Sequence, residues 1–231
     1  ITTTPKLGNI ITSMKLLLAS SGLANESIIA ALEEMVGKPR KNINVIIINE
    51  AIKAETGDMR WFAEELERLA SALGGNLEFI DLQAHNLEHI KSRIALADMI
   101  FCFGGNADYL ATVFEKTGFA NLLPEILAEK VWVGSSAGSC VLCHKEDEHT
   151  QATIYKERRE TDHYTDIVPI VFLPHLHGFF NFDQPEVIRA SESTDLPVYA
   201  ISDDFALQII DQNLPIILGS DYIVAQNGAL K

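Results

Sequence analysis

The sequence predicts an α/β fold in which a mostly parallel sheet is flanked by helices on both faces and short antiparallel strands finish the chain. Three observations carry this. Apolar runs such as LLLA, NVIIIN, DMIFCF and VWVG do not alternate with polar residues, and strands buried on both faces read that way. Stretches with apolar residues at three- and four-residue spacing lie between them, the rhythm of amphipathic helices alternating with parallel strands. Beyond residue 145 the texture changes, and VYAISD, FALQIID, LPIILGS and YIVAQNG read as short strands joined by hairpin-like turns.

Taken in order, Leu16 to Ala19 forms the first strand and stops at Ser20-Ser21-Gly22. Ile28, Ile29, Leu32 and Met35 share one face of a first helix. Residues 44–49, NVIIIN, are β-branched between two asparagines and form the second strand. Asp58 opens a second helix with Phe62, Leu66, Leu69 and Leu73 on one stripe, and Gly74-Gly75 ends it. LEFIDL is a third strand, Asn86 to Ala97 a third helix, and DMIFCFGG a fourth strand that runs into a double glycine. Asn106 caps the next helix, VWVGSS is the fifth strand, and Ala137 to Cys143 reads as the helix after it. Residues 145–166 are charged and lack periodicity.

The chain of 231 residues suits one domain, expected over 14–231, with residues 1–13 a leader ahead of Met14. A net charge of −14 disfavours a grip on nucleic acid or on anionic membrane, both of which need clustered cations. No apolar run reaches the roughly 18 residues of a membrane helix, and the first residues lack the basic-then-apolar order of a secretory signal. A cytoplasmic protein, a monomer or homodimer with a small-molecule or peptide partner, is expected. Three cysteines, an odd and sparse set, suit reduced thiols.

Chemistry in a parallel sheet gathers at the carboxyl ends of its strands. Two glycine-rich turns fall there, FGGN at 103–106 and GSSAG at 134–138. The second is G-x-S-x-G between a strand and a helix. A nucleophile elbow needs that arrangement, because its serine occupies a tight turn where flanking side chains would collide. Ser136 is the candidate nucleophile, and Ser135 points elsewhere. The amides of Ala137 and Gly105 are candidate oxyanion donors. His175, in LPHLHG behind the apolar run ending at Leu173, is the candidate base, with His177 its rival.

These residues resemble the peptidase E family of serine peptidases, which includes aspartyl dipeptidases and is distantly similar to cyanophycinases. MKLLLAS resembles the family's opening strand, FGGNADYL its GGGNTxxL turn, VGSSAGS its GxSAGx elbow, and LPHLHG its PH segment, in family order over residues 14 to 180. The resemblance implies a fold like that of the class I glutamine amidotransferases, a metal-free and cofactor-free Ser-His-acid site, and cleavage of dipeptides or short peptides. By position it makes Ser136 the nucleophile, His175 the base, Gly105 and Ala137 the oxyanion donors, and Asn106 and Arg189 substrate-binding residues. The alternative for Arg189 is a surface position on a helix starting at Gln184. Two departures stand out. Phe103 replaces the turn's first glycine, and Gln151 stands where the family carries the third member of the triad. Asp147 or Glu148 would replace Gln151 with a small loop shift, Asp162 or Asp166 with a larger one. The alternative reading is a catalytically weakened homologue that binds a small metabolite in the same pocket.

The string CVLCH at 140–144 matches the c-type haem attachment pattern. It falls in the helix behind the elbow, however, so Cys140 and Cys143, like Cys102, read as core residues. His144, His149 and His163 lack zinc-ligand spacing.

Overall fold

The computed structural model describes residues 13–150, 164–178 and 183–231. Strands β1 (Lys15–Ala19), β2 (Val45–Ile48), β3 (Leu77–Phe79), β4 (Met99–Cys102) and β5 (Val131–Ser135) form the parallel part of a seven-stranded sheet. Its order is β10-β9-β1-β5-β4-β2-β3, where β9 (Ala206–Ile210) runs antiparallel to β1 and β10 (Ile216–Leu218) antiparallel to β9. Strands β1, β5 and β4 are therefore central, with their carboxyl ends side by side.

The apolar runs do not alternate because both faces of the sheet are covered. Leu17, Ala19, Ile47, Phe101 and Val133 face helices α1 (Glu26–Val36) and α2 (Arg60–Leu73). Leu16, Leu18, Ile48, Ile100 and Trp132 face the opposite core, built with α3 (Leu87–Ala95), α4 (Ala107–Thr117) and α5 (Leu123–Glu129). Leu16 and Leu17 are both fully buried on opposite sides, each stabilising the fold by about 1.5–3 kcal/mol.

Helix ends follow the sequence signals. The Asn25 side chain accepts from the amides of Ser27 and Ile28, and α1 stops at Gly37 in the left-handed region. Asn106 caps α4 by accepting from the Tyr109 amide. The second helix starts at Arg60 rather than at Asp58, whose carboxylate accepts from the Arg60 amide.

A second, five-stranded sheet has the order β12-β11-β8-β7-β6, with β6 (Cys143–His144), β7 (Val168–Leu173), β8 (Val198–Ile201), β11 (Tyr222–Gln226) and β12 (Ala229–Leu230). Strands β6, β7 and β8 are parallel, and β11 and β12 supply the antiparallel finish. Helix α7 (Gln184–Glu192) packs beside it, opened by a capping box between Asp183 and Glu186.

The expected helix from Ala137 to Cys143 is shorter: α6 spans Ala137–Cys140 and Cys143 already belongs to β6. The carbonyls of Val141 and Leu142 accept from the amides of Thr165 and Val168, which draws this segment into the second sheet. That early exit brings the second sheet against the elbow. Among the described residues no helix is long and apolar enough to cross a membrane.

Candidate active site

The turn after β5 holds Ser136 at φ 46° and ψ −111°, a conformation that L-residues avoid. Its two flanking glycines are sterically required. A Cβ on Gly134 would lie 2.5 Å from the Gly138 carbonyl oxygen, and one on Gly138 only 2.0 Å from the Cys102 carbonyl oxygen. The first lets α6 double back over its own strand, and the second lets α6 press on β4. The Ser136 amide and the Ser139 hydroxyl both donate to the Ala19 carbonyl, at 3.0 and 2.9 Å, which fixes the turn to the end of β1.

His175 follows β7, with φ 64°. Its Nε2 lies 2.9 Å from Ser136 Oγ, and its Nδ1 lies 2.5 Å from Asp203 Oδ1. Asp203 sits just past β8, and the Leu176 amide donates to the Ile201 carbonyl at 3.0 Å, joining the two loops. Ser20 completes the frame. Its Oγ accepts from the His175 amide at 2.8 Å and donates to Asp203 Oδ1 at 3.0 Å. The bond from His175 is the main influence that holds the Asp203 carboxyl below its usual range, against partial burial, with Ser20 and Ser21 adding donors. The arrangement is a hydroxyl, an imidazole and an ionised carboxylate in line.

Beside the serine, a Cβ on Gly104 would stand 3.1 Å from Ser136 Cβ, and one on Gly105 would lie 2.6 Å from the Ala51 carbonyl oxygen. Gly105, at φ 125°, lets the turn after β4 pass close to the segment after β2, where the Asn106 amide donates to Ala51. Ala137 is the first residue of α6, so its amide has no acceptor within the helix. The predicted first-glycine position, Phe103, is fully buried against Phe101 and Phe62. The chain tolerates a ring there because it points into the core.

The sequence-predicted residues divide clearly. The structure brings Ser136, His175 and Ala137 together, while of the glycine pair Gly104 is the one against Ser136 and Gly105 lies against Ala51. Gln151 and Asp162 lie outside the described residues, and the carboxylate on His175 is Asp203, a residue that sequence reasoning did not single out. Asp147 instead accepts from Thr150 and Ser193, Asp166 pairs with His144 at 2.9 Å, and Glu148 is exposed. Arg189 lies on α7 and is bound to Thr150 and to Asp147, at 3.5 Å from the latter. Asn106 uses its side-chain oxygen as a cap. The rival His177 faces Asp221, 3.7 Å away. Asp203 had a weak signal: it stands at the carboxyl end of an apolar strand, but as half of an Asp-Asp pair in a turn, where such residues are common.

Cys102, Cys140 and Cys143 are buried thiols, and burial pushes the Cys102 and Cys143 thiols well up. Among the described residues no group of three or more His, Cys, Asp or Glu is placed to hold a metal ion.

Known proteins resemble this chain over most of its length. Residues 16–217 match the description of peptidase family S51. An uncharacterised peptidase of Pasteurella multocida is 24% identical over 183 residues, covering 78% of this chain and 87% of its own. An uncharacterised peptidase of Listeria innocua is 24% identical over 157 residues, 67% and 75% of the two chains. Among solved structures, a Listeria monocytogenes protein provisionally named a peptidase E superposes with a TM-score of 0.70 at 21% identity, covering 90% of this chain and 100% of its own. A peptidase from an acI-B1 actinobacterium gives 0.67 at 17% identity, covering 96% and 94%.

Proposed function

The chain belongs to peptidase family S51, and from that premise we propose that it is a serine-type peptidase cleaving dipeptides or short peptides through an acyl-enzyme on Ser136. One observation carries the reading: Ser136 Oγ, His175 Nε2 and Nδ1, and Asp203 Oδ1 form an unbroken chain of contacts of 2.9 and 2.5 Å.

In the proposed reaction Ser136 Oγ attacks the scissile carbonyl carbon while His175 Nε2 takes its proton. Asp203 holds the Nδ1 proton, which fixes the tautomer that leaves Nε2 a base, and its charge stabilises the imidazolium that forms. The amides of Gly105 and Ala137 are the donors for the oxyanion of the tetrahedral intermediate. Collapse breaks the C–N bond, and the leaving amine takes the proton from Nε2. Water, deprotonated by the same imidazole, then attacks the acyl carbon and restores the serine.

The weakened-homologue alternative drew on Gln151. Asp203 removes that motive, since the carboxylate that Gln151 lacks is supplied from the loop after β8. A library of dipeptides and tripeptides assayed with wild type and Ser136→Ala tests the proposal. Turnover that disappears in the variant supports it, and turnover that survives refutes it.

A further inference from the structure

On the reading that Ser136 is the nucleophile, we infer that Glu50 is a positioning residue for the oxyanion side of the site: its buried carboxylate fixes the backbone after β2 from which the Gly104-Gly105 turn hangs.

The turn between β4 and α4 is tied to that backbone at both of its ends. The Phe103 amide donates to the Ile48 carbonyl at 2.9 Å, and the Asn106 amide donates to the Ala51 carbonyl at 3.0 Å. Gly104 and Gly105 lie between these two ties, the first against Ser136 and the second so close to Ala51 and Ile52 that a Cβ would collide with them. Where residues 48–51 go the turn must follow, and the Gly105 amide with it. Glu50 stands inside that stretch, at the start of the short helical turn Glu50–Ala54, and its side chain is wholly buried.

Donors from two parts of the chain converge on the Glu50 carboxylate. Its Oε1 accepts from the Leu82 amide at 2.7 Å, and its Oε2 accepts from Gln83 Nε2 at 3.1 Å and lies 2.8 Å from Lys53 Nζ. Lys53 also reaches Asp81 Oδ2 at 2.7 Å, while Asp81 Oδ1 accepts from the amides of Gln83 and Ala84. The loop after β3 is thereby fastened to the segment after β2. Gln83 Nε2 donates in addition to Tyr109 Oη at 3.1 Å, on the first turn of α4. The same carboxylate therefore reaches the far side of the double glycine. An apolar side chain would stabilise such a buried place as well as an ion pair does. What apolar packing cannot do is fix one register among three chain segments, and directional, charge-assisted bonds can. An oxyanion donor needs that register, because a displacement of about 1 Å forfeits much of its effect.

The test uses Glu50→Gln, in which an NH₂ replaces one acceptor oxygen so that donor meets donor in either orientation. A second variant, Gln83→Ala in an exposed loop, removes one donor and the link to Tyr109. The rate of Ser136 labelling by a fluorophosphonate, whose phosphonyl oxygen takes the oxyanion position, is followed against pH with Ser136→Ala as the blank. Each variant is measured well below its own melting temperature, where folding is complete and lost stability alone leaves the rate unchanged. Glu50→Gln should label roughly tenfold or more slowly than wild type on the pH plateau, part of the roughly 10²- to 10³-fold that one oxyanion donor contributes. Gln83→Ala should show a fall of roughly two- to fivefold. The midpoint of the pH profile should stay where it is, since the contacts of His175 with Ser136 and Asp203 are untouched. A Glu50→Gln plateau equal to that of wild type reduces Glu50 to a structural role and overturns the inference alone. A displaced midpoint does the same, because the effect would then come through His175. If Glu50→Gln does not fold, an unchanged Gln83→Ala plateau overturns the inference and a lowered one sustains it. Absence of labelling in wild type overturns the serine-peptidase reading and this inference with it.

Discussion

Asp203 Oδ1 lies 2.5 Å from His175 Nδ1 although the two residues close different strands, β7 and β8, of the smaller sheet. The parallel pairing of these strands sets both loops at one edge, and the contact between the Leu176 amide and Ile201 locks them in register. Asp203→Asn should leave this geometry intact while removing the charge and permitting the wrong tautomer. The expected loss is roughly 10³- to 10⁴-fold in kcat with little change in KM. Steady-state kinetics on a cleaved peptide decides it, with circular dichroism showing an unaltered fold.

Ser20 has a smaller role of the same kind. Its hydroxyl accepts from the His175 amide and donates to Asp203, so it orients both members of the pair. Loss of one or two hydrogen bonds at about 0.5–1.5 kcal/mol each predicts a roughly tenfold fall in kcat for Ser20→Ala, with KM preserved. A variant that raised KM instead would place Ser20 in substrate binding.

These two residues mark where the sequence stopped being legible. The parallel sheet could be read because strands covered on both faces have lost their alternation, and Leu16 to Ala19 shows it directly. Ser136 could be read because Gly134 and Gly138 answer to local collisions with the next few residues and with Cys102. His175 was visible as a histidine behind an apolar strand. Asp203 and Ser20 meet His175 across 28 and 155 residues of chain, and nothing in their own neighbourhoods records that meeting. The short length of α6 was hidden for the same reason. Residues 137–143 mix Ala and Leu with weaker helix formers, and it is the distant Thr165 and Val168 that capture the carbonyls of Val141 and Leu142.

The cysteines of the CVLCH string offer a test of the packing account. Cys140 Sγ donates to the Phe172 carbonyl at 3.7 Å and Cys143 Sγ to the Ser139 carbonyl at 3.5 Å, and both residues are buried, as is Cys102. Burial holds the Cys102 and Cys143 thiols protonated, so neither offers the thiolate that thiol–disulfide exchange requires, and Cys140 is buried out of a reagent's reach. Native protein at neutral pH should resist a thiol reagent such as 5,5′-dithiobis(2-nitrobenzoate). All three cysteines should react once denaturant unfolds the chain. Prompt reaction of Cys140 or Cys143 in the native state would contradict the placement of α6 against the second sheet.

The elbow itself makes the sharpest structural demand. A methyl group on Gly138 would meet the Cys102 carbonyl oxygen at 2.0 Å, and both partners are backbone, one in the middle of the sheet and one in the turn. Neither can rotate away as a side chain would, so α6 must lift from β4. Gly138→Ala should then cost about 3 kcal/mol or more, beyond the usual range for overpacking because the strain falls on backbone. For a chain of this size that is a fall of roughly 6–12 °C in melting temperature. Because α6 carries the Ala137 amide and anchors Ser136, fluorophosphonate labelling should fall with it. Gly75 is the control: it is exposed, and a Cβ there meets nothing within 4 Å. Gly75→Ala should change stability by no more than about 0.5 kcal/mol. If the two alanine variants melt together, the close approach of the nucleophile turn to β4 is wrong.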